Sequence, residues 1–155
     1  MKKITIVLLS AILLGGAYYM FFAKKTANDE EFALPEGYQG CAHVVYNVKN
    51  APPLKVTDGK IVHTFDENGI SLTSSPEDFG WEGEEFSGFY NATYYYVDKQ
   101  GNKTSEIEQE QIFNSGLGSL EEDGKVQITH YHFSVKDKNA SCEKDLERVK
   151  KLINK

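Results

Sequence analysis

The 155-residue chain has only two cysteines, Cys41 and Cys142, and four prolines, and it contains no internal repeat or low-complexity tract. Two cysteines this far apart exclude C-x-x-C redox centres and Cys-rich zinc sites. No cysteine lies in or directly after the N-terminal apolar stretch, which excludes thioether lipidation of the bacterial lipoprotein kind. Catalytic signatures are missing as well: there is no G-x-S-x-G elbow, and no Gly-rich loop stands before a helix to hold phosphate. Basic residues are scarce beyond the N-terminus. The whole chain is −6, and without the four lysines of residues 1–25 it keeps 13 basic against 23 acidic residues, or −10. Such a surface suits neither nucleic acid nor anionic lipid headgroups, which need clustered Lys and Arg. It does keep a domain soluble beside a membrane.

What is present begins at the N-terminus. Lys2-Lys3 and Lys24-Lys25 bracket Ile4–Ala23, a run without charge. Twenty such residues reach about 30 Å as a helix, the thickness of a bilayer's hydrocarbon core. Lys2-Lys3, Ile4–Leu14 and the small residues Gly15-Gly16-Ala17 also fit a cleaved secretory signal. The apolar run continues, however, through Tyr18–Ala23, whose rings suit the water–lipid boundary. Residues 1–25 are therefore read as a transmembrane signal anchor, with secretion after cleavage as the alternative. The lysine pairs balance one another. The α-amino group adds a third positive charge on the N-terminal side and favours a cytoplasmic N-terminus, with the C-terminal part outside.

Residues 26–38, acidic and containing Pro35 and Gly37, read as a juxtamembrane linker. Residues 39–155 then form one extracytoplasmic domain, long enough for its own core. An even cysteine count in an exported domain points to a Cys41–Cys142 disulfide; two buried thiols are the alternative for a domain in the cytosol.

Within the domain, Gly40–Val48 is β-branched and aromatic and reads as a strand. Asp58-Gly59 turns the chain between Leu54–Thr57 and Lys60–Phe65, and Asp66–Gly69 turns it again into Ile70–Thr73, which suggests an antiparallel meander. Asn91–Asp98 is a strand, Lys103–Phe113 fits either strand or short helix, and Asn114–Asp123 reads as a loop. Gly124–Val135 is a long strand with Tyr131, Phe133 and Val135 opposite His130, His132 and Ser134. The chain closes in a helix after Asn139 or Ser141, with Cys142, Leu146, Val149 and Ile153 on one stripe. The expected fold is mainly β, a small antiparallel sandwich or meander with a C-terminal helix.

Two places could carry function. His130 and His132 share a strand face, and His43 on another strand could add a third metal ligand. The plainer reading is a half-buried strand whose histidines meet solvent. Residues 74–90 interleave aromatics with acids. Phe79, Trp81, Glu82, Glu84, Glu85 and Phe86 could form a sugar-stacking or protein-docking surface, or the rings could tuck the loop onto the core. No cofactor is implied.

Three stretches, EGYQGCAHVVYNVKNAPPLKV (36–56), GISLTSSPEDFGW (69–81) and FYNATYYYVD (89–98), together resemble a small uncharacterised domain of exported proteins in Bacillus-type Gram-positive bacteria. The resemblance implies an anchor plus one domain and no activity. The sequence thus reads as a membrane-anchored envelope binding module, not an enzyme, with an envelope protein or glycan as partner. The alternatives are a metal-dependent hydrolase on the histidines and a structural accessory of a membrane complex.

Overall fold

The computed structural model describes residues 27–81, 91–122, 125–142 and 149–151. They form nine strands: β1 (Asp29–Pro35), β2 (Gly40–Tyr46), β3 (Val56–Thr57), β4 (Lys60–Thr64), β5 (Ile70–Leu72), β6 (Ala92–Val97), β7 (Lys103–Ile107), β8 (Ile112–Glu122) and β9 (Lys125–Val135). One 3-10 turn, Gln109–Gln111, precedes β8, and residues 149–151 are helical. Among the described residues no helix is long and apolar enough to cross a membrane. Ile4–Ala23 lies outside them.

The strands build a mainly β structure of two facing sheets, ordered β3-β4-β1-β6-β7 and β5-β2-β9-β8. Both are mixed, which corrects the antiparallel expectation. β1 runs parallel to both β4 and β6, and β2 parallel to β5. The β3–β4 hairpin forms as expected, with Asp58 and Gly59 both at positive φ (52° and 75°), but β2 and β5 belong to the opposite sheet. Residues 40–73 are therefore not a meander. The chain crosses between the layers at β1/β2, β2/β3, β4/β5, β5/β6 and β7/β8, and the parallel pairs join segments remote in sequence. Turn chemistry reports only the local pairings.

The segment expected to be a linker contains β1, the centre of the five-stranded sheet. Its charges misled the sequence reading, because two of them are satisfied in place. Glu31 takes an ion pair from Lys60 (2.6 Å), and Glu30 lies 3.3 Å from His63. Alternation then sends Phe32 and Leu34, both fully buried, into the core. Residues 114–122, expected as a loop, continue β8; a register shift between Phe113 and Gly116 accommodates Asn114 at φ 51°.

Phe32 stacks on Tyr94 (centroids 4.7 Å) and on His63 (5.0 Å), making a ring ladder across β4, β1 and β6. Phe133 of β9 meets both Phe32 (5.3 Å) and Tyr94 (5.0 Å) edge-on, which locks the two sheets face to face. The back of the second sheet carries another apolar cluster, Val45, Val48, Ile70 and Ile128, closed by Val149. Cys142 is bonded to Cys41 with Cα atoms 5.3 Å apart, so the C-terminal segment is stapled to β2 as the sequence suggested.

Candidate functional site

β4, β1 and β6, being parallel, end on the same side at Thr64, Pro35 and Val97. The turns that follow them enclose a cleft of about 740 Å³ whose lining includes Glu36, Tyr38, Phe65, Glu67 and Lys99. That volume is within the range of small-ligand sites, and the mix of ring, carboxylate and ammonium is of the usual kind.

The cleft walls are fixed by their own hydrogen bonds. The Tyr38 hydroxyl donates to the Cys41 carbonyl, while the Tyr38 carbonyl accepts from the Tyr96 hydroxyl at 2.8 Å. Gly69, at φ 73°, lies so close under the Tyr38 ring that a Cβ there would overlap the hydroxyl. Asp66 accepts from the Asn68 and Ile70 amides, both at 2.9 Å. Asp98 does the same for Gln100 and Asn102, and the Asn102 side chain beside it holds its carboxyl below the usual range. These two acids brace the turns. Glu36, Glu67 and Lys99 also line the cleft. Sequence reading missed the cleft because its walls meet only through the parallel pairing around β1.

The three histidines do converge. Ring centroids are 5.6 Å apart for His43–His130, 6.2 Å for His43–His132 and 5.2 Å for His130–His132. They are not solvent-facing, however: His43 is 0 %, His130 1 % and His132 7 % exposed. Their face of the sheet also carries Cys41, bonded to Cys142, and Val45 and Ile128, which cluster with the buried Val149. Burial, and then the neighbouring His132, lower the His130 pKa to about 4. Among the described residues no group of three or more ligating side chains is placed to hold a metal ion.

Of the aromatic–acidic loop, Phe79 and Trp81 are described and half-buried; Glu82, Glu84, Glu85 and Phe86 lie outside the described residues. Asn28 holds the Gly80 carbonyl with both its amide (3.1 Å) and its side chain (2.8 Å), which pins this loop to the start of β1, opposite the cleft.

The described strands fall within a known domain. The family of unknown function DUF6843 matches residues 26–146. The chain belongs to this family. The DUF6843 match begins ahead of β1, so the first strand is part of the domain. It agrees with the resemblance read from residues 36–98. The fold is also similar to the crystal structure of a "putative lipoprotein" from Bacillus anthracis, with a TM-score of 0.64 and 26 % identity over 82 % of this chain and 94 % of that one. No curated protein matches the chain.

Proposed function

We propose that this DUF6843 chain is an interaction module of the cell envelope, held to the membrane by Ile4–Ala23 with its β domain outside, and that it works by binding instead of catalysis. The observation that carries the reading is the cleft at the ends of β4, β1 and β6, preformed by Tyr38, Asp66 and Asp98. Its occupant is an envelope protein segment or glycan. The likeness to a Bacillus anthracis protein named for lipid attachment supports an envelope setting. This chain lacks the cysteine for such a lipid, and the apolar segment takes its place as the tether. The Cys41–Cys142 bond fits an oxidising compartment.

A photo-crosslinking side chain at Lys99, on the cleft rim, should give one discrete adduct in intact membranes. The same group at Val56, exposed at the other end of that sheet, should give none. Equal labelling at both positions would contradict the proposal. The competing reading, a metal-dependent hydrolase on His43, His130 and His132, has no metal-holding group among the described residues and is tested by metal content. Stoichiometric zinc in the purified full chain, lost in His43→Ala, would replace the binding reading with that one.

A further inference from the structure

The charges of the cleft restrict what can enter it. Its lining includes four carboxylates, Glu36, Asp66, Glu67 and Asp98, against the single ammonium of Lys99. Among the described residues none of these five is joined in an ion pair. Apolar neighbours in the same walls, Pro35, Phe65 and Val97, concentrate the resulting negative field where it meets an incoming ligand.

A glycan bearing phosphate or carboxylate would meet like charges there. A neutral sugar stacks on an open ring face, yet Phe65 is 4 % exposed and the Tyr38 ring lies over Gly69. A bare metal cation is far smaller than the cavity of about 740 Å³, and Asp66 and Asp98 already accept from the amides of their own turns. What fits is an ammonium or guanidinium carried on a longer chain. A guanidinium takes a carboxylate through two parallel N–H bonds. The turns after β4, β1 and β6 follow neighbouring strands and span about 10 Å, the length of three extended residues. The chain's own basic pair cannot supply the cation. Lys24 and Lys25 precede Asn28 by four and three residues, and Asn28 is held at Gly80, so they reach at most about 14 Å from there. Pro35 lies seven residues the other way, about 23 Å along β1.

On the reading of the cleft as the binding site, we infer that it takes an extended segment of a second protein bearing Arg or Lys, met at the end of the domain away from the tether. Glu36 and Glu67 are its carboxylate contacts. Both are exposed, and among the described residues no side-chain hydrogen bond engages either. The negative field speeds the encounter with such a segment and weakens as salt rises.

The test uses the full chain in phosphatidylcholine nanodiscs and the fluorescence anisotropy of a labelled peptide of alternating Gly and Arg. This peptide should bind, and its counterpart of alternating Gly and Glu should not. Glu36→Gln with Glu67→Gln should weaken binding about tenfold or more, through loss of two charge-assisted contacts. Asp58→Asn with Asp78→Asn removes the same charge at the opposite end of the domain, at the β3–β4 turn and in the loop pinned by Asn28. That pair should change binding less than about twofold, because salt screens distant exposed charges. A short chitosan oligomer, which carries amines on a sugar, should compete poorly. No peptide binding, an equal loss in both double variants, or tighter binding of chitosan would overturn the inference while the Lys99 adduct in membranes still stands for the cleft. Absence of that adduct would overturn the cleft reading and this inference together.

Discussion

His130 shows how one side chain sets a condition on the whole fold. It is 1 % exposed, and its folded pKa is about 4 against an ordinary 6.5. Between those values the unfolded chain binds a proton that the folded chain refuses. Stability contributed by the neutral ring is complete above pH 6.5 and is lost as the pH falls towards 4. The expected loss is about 3 kcal/mol, read as a falling urea midpoint between pH 7 and 4. In His130→Asn the slope over that window should flatten, and an unchanged slope would assign the effect elsewhere. Gly118 supports the same ring. Gly118→Ala puts a Cβ 2.7 Å from Nε2, so it should cost about 1–3 kcal/mol through overpacking, whereas Ser119→Ala, on the exposed neighbour, should be near neutral. The pairing of His130 and His132 on one face is legible as a period-two pattern. Their burial is not, because that face is closed by residues remote in sequence, Val149 and Cys142 among them.

Among the elements, β1 has the largest consequences. It is bonded on both sides by parallel strands, and its Phe32 stacks or packs against His63, Tyr94, Phe65, Tyr131 and Phe133. Phe32→Ala should destabilise the domain by about 3–5 kcal/mol in chemical unfolding. A cost below about 1 kcal/mol would mean that the core does not close over β1. Glu31→Gln, which removes the charge facing the exposed Lys60 ammonium and weakens the bond accepted from the Tyr95 hydroxyl, should cost far less than Phe32→Ala. β1 was hidden in the sequence because Asp29-Glu30-Glu31 and Pro35 look like a linker. Alternation of Glu30, Phe32 and Leu34 was the available signal, and it is only half apolar. Strands with local partners were easier to see. The Asp58-Gly59 hairpin and the long run of β9 both follow from nearby residues, whereas β8 was obscured by the glycines that make room for the histidines.

At the scale of the molecule, the two ends of the domain are joined by one bond, and that bond was legible before any geometry: an even cysteine count, an export-like N-terminus and an apolar stripe containing Cys142. The closed loop spans a separation of 101 residues. Restricting an unfolded chain of that length stabilises the fold by about 4–5 kcal/mol in the chain-entropy account. Reduction, or Cys41→Ala with Cys142→Ala, should lower the unfolding midpoint accordingly while the far-ultraviolet spectrum of the sheets persists. The cleft, by contrast, was invisible because it belongs to the topology. It exists only where three parallel strands that are distant in sequence stop together.

The account's central claim is that this DUF6843 domain stands outside the cell on its own membrane segment. The most direct test is the intact mass of the protein from carbonate-washed membranes of its host, denatured and alkylated without prior reduction. The account predicts a chain in the pellet that begins at Met1 and carries no alkyl group, with Cys41 and Cys142 still bonded. A soluble chain beginning at Tyr18, or one alkylated at both cysteines, would contradict it.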